Sequence, residues 1–573
     1  MTRLYDDPAA FTEDMVTGFV AAHPEHVRRV PGGVVRAKRA RKGKVAVVTG
    51  GGSGHYPAFC GVVGPGFADG AVIGNIFTSP SAEDAYSVAR AADRGAGVVF
   101  SFGNYAGDNM NFGLAVERLQ REGIRAHNAV VTDDVASAPS EEAGRRRGVV
   151  GDFPVFKVAS AAAEEGYDFD GVVRVAERTN ERTRSLGVAF DGCTLPGQDH
   201  PLFEVPEGRM GLGLGIHGEP GVSEREMPSA SELAKILVDG LLAEAPADGG
   251  RRVTAILNGL GATKYEELFV VWGTVSRLLA EAGLEVVAPE VGELVTSLDM
   301  AGCSLTLTWL DDELERLWQA PADTPAYRKG DAPSSGTAED DDELPEIERE
   351  PVVIAPAEGQ RTAAEVVRAL DAMAELMREQ EDELGRMDSV AGDGDHGRGM
   401  TRGSGAAAEA ARDIAAQGVG PAAVLVAAGD AWAAKAGGTS GVLWGAALRS
   451  FGDLLPDDRP AVGADLVAGA EAALAAVRRL GRAEPGDKTL VDALQPFTAE
   501  LRAAVGDGGA EAWRRAAQVA TKAAADTADL RPRTGRARPL AERSVGTPDP
   551  GATSLALALT RIGELLGERE EAA

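Results

Sequence analysis

At 573 residues the chain is too long for one hydrophobic core, and about two to four domains are expected. Its composition, 44% hydrophobic and 25% charged, is that of an ordinary globular protein, and a formal net charge of −30 excludes nucleic acid or an anionic membrane surface as partner. Three widely spaced cysteines, Cys60, Cys193 and Cys303, form neither a disulfide framework nor a zinc spacing, and they read as reduced and buried. The first residues lack an apolar signal region and no run of about 18 apolar residues follows, so no membrane span and a cytoplasmic setting are expected.

In chain order, 45–49, 97–102 and 129–132 read as buried strands, with helices over 82–92 and 112–122 between them. That alternation predicts α/β layers. The first strand runs into Gly-Gly-Gly-Ser-Gly-His at 50–55, so a glycine loop carries His55 at the strand's C-terminal end, where open α/β sheets bind ligands. Asp108 stands before the 112–122 helix, where it would serve as an N-cap. A glycine-rich break near 191–221 begins a second pattern, with a strand over 253–257 and a helix over 266–281. Within it, glycines bracket His217. Gly213, Gly215 and Gly218 formally match a dinucleotide fingerprint, but Pro220 follows and no helix opens there, so that reading is rejected.

Composition shifts near residue 320 into a Pro-, Ser- and Asp/Glu-rich stretch that cannot bury enough apolar area to fold, and 329–355 reads as a linker. It separates 1–328, with subdomains at about 1–190 and 191–328, from 356–573. The second part is alanine-rich, with helices expected over 362–386, 405–416, 421–435, 464–480 and 509–527. It predicts an all-α domain following an α/β half. Asp388, Asp393 and Asp395 lie within eight positions, threaded by glycine and followed by Gly397, Arg398 and Gly399. Hard oxygen ligands beside exposed N–H groups and a guanidinium provide both halves of a Mg-ATP site. The stretch 481–489 misses a phosphate-binding P-loop by one inserted aspartate and sits among helices, so a P-loop is also rejected.

Nine motifs in order carry a resemblance. They are Gly-Gly-Gly-Ser-Gly-His at 50–55, Gly-Asn-Tyr-Ala-Gly-Asp at 103–108, Gly-Ile-His-Gly-Glu-Pro-Gly at 215–221 and Asn-Gly-Leu-Gly-Ala-Thr at 258–263. Gly-Asp-Gly-Asp-His-Gly at 392–397, Gly-Gly-Thr-Ser-Gly at 437–441, Gly-Asp-Lys-Thr-Leu-Val-Asp-Ala-Leu at 486–494, Gly-Arg-Ala at 535–537 and Asp-Pro-Gly-Ala at 549–552 complete the set. Together they resemble the single-chain, ATP-dependent dihydroxyacetone kinase family.

The resemblance implies a ketose site in the first half and a helical barrel whose end loops hold nucleotide in the second. It implies that a nitrogen of His217 adds to the substrate ketone, that Asp108 takes the proton of the attacking hydroxyl, and that His55 assists. Backbone at Gly52 and Ser53 would meet substrate oxygens. Asp388, Asp393 and Asp395 would hold magnesium, as two ions. His396, Gly397, Arg398, Gly399, Thr439, Ser440, Gly486, Arg536, Asp549, Pro550 and Gly551 would line the ATP pocket. A homodimer is expected on the same ground. Where the family commonly has His-Glu-Pro-Ala-His, this chain has His55-Tyr56-Pro57-Ala58-Phe59, which turns the expectation from dihydroxyacetone towards erythrulose. A non-catalytic ketose-binding regulator and an FAD-cleaving cyclase activity are the alternatives.

Overall fold

Residues 2–219, 221–330, 352–436, 438–533 and 541–572 are described by this computed structural model, which divides into two compact units, Met1–Glu339 and Asp340–Ala573. Most of the linker expected over 329–355 lies outside the described residues. No helix among those described is long and apolar enough to cross a membrane.

The first unit is built on two sheets. The first contains β1 (Val27–Val30), β2 (Gly33–Arg36), β3 (Ala46–Ser53), β4 (Gly70–Ile76), β5 (Val98–Gly103) and β6 (Ala126–Val131), ordered β1-β2-β4-β3-β5-β6. Strands β4, β3, β5 and β6 are parallel, and helices cover both faces, as parallel strands require. Helices α1 (Phe11–Ala22), α2 (Ala82–Ala92), α3 (Ala106–Arg121), α4 (Asp152–Glu165) and α5 (Phe169–Glu181) belong to this part. Helix α2 starts at a capping box, Ser81 with Asp84, and buries Ala85, Val88 and Ala89 on the sheet. Helix α4 carries twelve buried residues and fills the opposite face.

The second sheet takes β7 (Thr183–Ala189), β8 (Arg209–Leu212), β9 (Ser223–Glu226), β10 (Arg252–Gly259), β11 (Glu285–Val286), β12 (Glu290–Gly292) and β13 (Gly302–Trp309). Its central strand β7 precedes the glycine-rich break, so the sheet begins upstream of the expected 190/191 division. Alternation decides its faces. Val253, Ala255 and Leu257 pack with Leu305 and Leu307 under helices α6 (Ala230–Leu242) and α7 (Tyr265–Glu281). Polar residues occupy the alternate positions, and Thr183 pairs with Thr308 at 2.9 Å and Ser185 with Thr306 at 2.6 Å. Helix α8 (Asp312–Gln319) adds Leu314, Leu317 and Trp318 to the main core.

The second unit is helical. Helices α9 (Ala357–Glu379), α10 (Glu381–Asp388), α11 (His396–Ala415), α12 (Pro421–Ala436) and α13 (Gly438–Gly452) are followed by α14 (Gly463–Gly481), α15 (Val491–Ala504), α16 (Gly509–Asp526), α17 (Ala541–Ser544) and α18 (Pro550–Ala572). Each of α9, α11, α12, α13, α14, α15, α16 and α18 packs on the next and α18 returns to α9, so eight helices close a ring. Trp444, Phe451, Phe497 and Trp513 line its apolar interior.

Several helices differ from the sequence expectation. Helix α3 begins at Ala106, so Asp108 sits in its first turn rather than at the N-cap, which is Tyr105. The helix expected over 362–386 breaks at Gln380 into α9 and α10. Helix α11 starts at His396, well before 405, through a glycine-dense turn that propensity alone disfavours. Gly403 lets Trp432 of α12 lie against α11, since a Cβ there would be 2.6 Å from its Nε1.

Candidate active site and nucleotide pocket

Strand β3 ends in consecutive glycines because the chain behind it leaves no room. A Cβ on Gly52 would stand 2.6 Å from the Thr78 nitrogen. Ser53 is buried and its Oγ donates to the Gly74 carbonyl at 2.6 Å. Two residues on, His55 is 2% exposed, and its Nδ1 donates to the Thr296 carbonyl at 2.7 Å. Strand β5 delivers Asp108 through the first turn of α3. His217 comes from the loop between β8 and β9. Its backbone N–H and its Nδ1 donate to the two oxygens of Glu219, each at 3.0 Å. Gly215 permits this, because a Cβ there would overlap the Glu219 carboxylate and approach the Arg147 guanidinium. Arg147 is anchored by Asp134 at 2.7 Å and lies 3.8 Å from Glu219.

The rings of His55, Phe77 and Tyr105 surround His217 with centroids at 4.9, 5.0 and 5.0 Å. His55 Nε2 and His217 Nε2 are 3.0 Å apart. Both Nδ1 atoms face oxygen acceptors and therefore carry hydrogen. In the neutral tautomers both Nε2 atoms would then present lone pairs to each other. A 3.0 Å approach calls for one proton between them.

Burial, reinforced by the neighbouring His217, pushes His55 down to about 3, so it is the readily deprotonated member. Burial pushes Glu219 up, but the hydrogen bonds and charge of His217 outweigh it and hold Glu219 at about 2. Burial raises Asp108, against a Ser79 hydroxyl and the His217 charge. Its Oδ1 is buried without a hydrogen-bond partner.

Thus His55, Asp108 and His217 are brought together with Gly52 and Ser53 on one strand end, and Thr296, Glu219, Arg147 and Tyr105 join them. Glu219 and Tyr105 lay inside quoted motifs, but spacing in a loop does not reveal what a carboxylate or phenol faces. Arg147 and Thr296 carry no sequence signal. Of the two aromatic departures, Phe59 packs beside His55 at 6.4 Å and Phe156 at 6.1 Å. Tyr56 is 43% exposed, and its ring meets Phe19 and Gly61.

In the second unit, the connections α10–α11, α12–α13, α14–α15 and α17–α18 gather at one end of the ring around a cavity of about 340 Å³. Asp388, Asp393, Asp395, His396, Gly399, Thr439, Ser440, Asp549, Pro550 and Gly551 line it. The three aspartates place one carboxylate oxygen each within 4.8 Å of one another. An all-oxygen, acidic set at a cavity mouth fits a hard divalent ion that keeps waters and binds phosphate. His396 is buried, with Nε2 3.0 Å from Ser554 Oγ. Asp549 Oδ1 accepts from the Ala552 N–H at 2.7 Å, and burial pushes its carboxyl up to about 7.

Three expected residues stand off the cavity lining. Gly397 is buried against the Glu381 carbonyl and lets α10 and α11 touch; Arg398 is exposed; the Gly486 N–H is taken by Asp492. Arg536 lies outside the described residues. Lys488, Thr489, Ser544 and Thr547 line the cavity without having been singled out. Lys488 and Thr489 stand in the quoted 486–494 motif, and Lys488 in the rejected P-loop, but neither was given a role. Its buried ammonium donates to the Ser544 carbonyl at 2.7 Å and the Leu530 carbonyl at 3.2 Å, and so ties the loops together.

Comparison with known proteins covers both units. The Dak1 domain model matches residues 17–326 and the DAK2 domain model residues 390–564. The chain is 62% identical to a D-erythrulose kinase of Mycolicibacterium smegmatis, over 98% of both chains. It is 54% identical to an L-erythrulose kinase of Pectobacterium atrosepticum, over 99% of this chain and 97% of that one. Its structure is similar to the dihydroxyacetone kinase from C. freundii in complex with AMP-PNP and Mg2+, with TM-score 0.61 and 30% identity over 98% of this chain and 99% of that one. With a close histidine pair in its Dak1 unit and an acidic cavity in its DAK2 unit, the chain belongs to the single-chain dihydroxyacetone kinase family.

Proposed function

We propose that this protein is an ATP-dependent kinase of short ketoses, that erythrulose is its substrate, and that His217 holds the ketone covalently. The carrying observation is the His217 imidazole, backed by Glu219 and touching His55 at 3.0 Å, in the pocket that also holds Asp108. Support for a four-carbon substrate comes from the erythrulose kinases to which the chain is similar over nearly its whole length.

The residues support a balanced sequence. His217 Nε2 gives up the shared proton to His55 Nε2 and adds to the ketone carbon. The carbonyl π pair moves to oxygen, which takes the proton from His55. A neutral hydroxyl results, and the positive charge left on the His217 ring sits against the Glu219 carboxylate. No proton need enter or leave the site. Glycerol has no carbonyl and gains nothing from this step, so capture selects ketoses over polyols. Asp108 then accepts the proton of the terminal hydroxyl as it attacks the γ-phosphorus; its raised basicity and unpartnered oxygen suit that role. Asp388, Asp393 and Asp395 would hold magnesium, as two ions, whose charge neutralises the phosphates in transfer. The hydroxyls of Thr439 and Ser440, on the cavity lining, offer donors to ATP.

A homodimer in the cytoplasm belongs to the same reading, with light scattering as its check. A regulator would need only the ketose-binding unit, whereas this chain carries the acidic nucleotide cavity as well. The deciding experiment measures ADP release from Mg-ATP with dihydroxyacetone, D-erythrulose, L-erythrulose and glycerol, with His217→Ala as control. Preference for an erythrulose, lost in His217→Ala, is expected. Equal turnover of glycerol, or ketose-dependent turnover surviving in His217→Ala, overturns covalent selection.

A further inference from the structure

Three buried polar atoms at the starts of α3 and α4 have no hydrogen-bond partner: Tyr105 Oη, Asp108 Oδ1 and Asp152 Oδ1. Buried polar groups are almost always paired, and leaving one unpaired costs about 1–3 kcal/mol. Asp108 has a use in proton transfer. Tyr105 and Asp152 have none in that sequence of steps, so their cost is unexplained by the fold.

Tyr105 occupies the N-cap of α3 but its side chain makes no capping bond, and its ring stands edge-on to His217 at 5.0 Å. Its phenol lies within electrostatic reach of Asp152, and Asp152 within reach of Asp108. Asp152 opens α4 and is 4% exposed. Burial holds its carboxyl well above the ordinary range. A phenol that donates and accepts, together with a carboxyl oxygen that accepts, matches an sp3 hydroxyl. The same carboxyl cluster disfavours an anionic substituent.

We infer that Tyr105 and Asp152 hold the ketose hydroxyl that is not being phosphorylated, and that they make the site prefer hydroxylated ketones over plain ones. This rests on the ketose-kinase reading above. A site that pairs its buried groups only with the right substrate rejects analogues lacking that hydroxyl, because the protein groups are then left unpaired.

The test compares dihydroxyacetone with hydroxyacetone, which keeps the ketone and one terminal hydroxyl but lacks the second. Affinity by calorimetry and kcat/KM by ADP release are measured for the full chain, Tyr105→Phe and Asp152→Leu. Tyr105→Phe is expected to weaken dihydroxyacetone by about 10-fold or more while hydroxyacetone changes by less than about two-fold. Asp152→Leu, which removes the acceptor at similar size, should show the same selective loss, so the result does not depend on one variant. The melting temperature of ligand-free Tyr105→Phe should stay level or rise, because an unpaired hydroxyl has been removed. Equal losses on both ketones, or no loss, with the wild-type chain active, overturn this assignment alone. Absence of ketone binding and of ketose-dependent ADP release in the wild type overturns the kinase reading and this assignment with it.

Discussion

Two imidazoles that both donate from Nδ1 and meet at Nε2 make protonation, rather than shape alone, the organising fact of the ketose pocket. Glu219 is its counter-ion. Glu219→Gln keeps a hydrogen-bond acceptor for His217 and removes the charge that balances the captured ketone, so kcat/KM should fall about 10- to 100-fold, read from initial rates over a ketose series. The same variant has a stability signature. Glu219 is held at about 2 against an ordinary 4.5, so its stabilisation is present above about pH 4.5 and is lost as pH falls towards 2. Denaturant melts across that window should show wild type losing stability that the variant never had. Asp108, raised by burial, should place the acidic limb of the kcat profile above the ordinary aspartate range, and Asp108→Asn should lower kcat by about 10²- to 10⁴-fold with retained ketose affinity. The sequence showed His55, Asp108 and His217 because glycine loops and ordered motifs mark them. It did not show Arg147, Thr296 or Asp152, since proximity across many residues leaves no local pattern.

Helices, more than strands, departed from expectation. Strand cores declared themselves through β-branched and aromatic runs, and β3, β5, β6 and β10 overlap the predicted segments. Helix α13 opens on a run of glycine, threonine and serine, α15 contains Pro496, and α18 opens at Pro550 just after Pro548; each carries or adjoins residues that ordinarily read as breaks. Packing outweighs propensity there. Gly429 of α12 and Gly445 of α13 face each other, and a Cβ on Gly429 would stand 2.6 Å from the Gly445 carbonyl. Gly429→Ala should therefore destabilise the helical unit by about 1–3 kcal/mol despite alanine's better helix propensity, measured by urea melts. In α4, Lys157 is fully buried with its ammonium on the Leu317 carbonyl at 3.2 Å, and burial pushes it down to about 7. Its unfolded value near 10.5 lies above the folded one, so protonation favours unfolding and stability should rise between about pH 7 and 10.5. Lys157→Met should be more stable at pH 7 and lack that rise, by thermal melts across the range.

In the proposed reading the two ligands belong to separate folded units. Hydrogen exchange should find ketose protecting amides around β3, α3 and the His217 loop, and Mg-ATP protecting the α10–α11 and α17–α18 connections. A net charge of −30 means that anionic nucleotide is received by local groups, not by a global field. That two-part plan was legible from the alanine-rich second half and the acidic stretch before it, and the closed ring of eight helices agrees with the helical barrel that the resemblance implied, although three of the eight lacked a local sequence signature. Capture by the histidine pair, as proposed, would also set a ceiling on chain length that no wall of the pocket has to impose. A nitrogen nucleophile reacts only with an open carbonyl. In straight-chain 2-ketoses, five carbons are enough for the terminal hydroxyl to close on C2 as a furanose ring, and the carbonyl is then masked. Erythrulose is the longest member that cannot close such a ring. Larger sugars are thus discriminated against by their own cyclisation equilibrium before they reach His217.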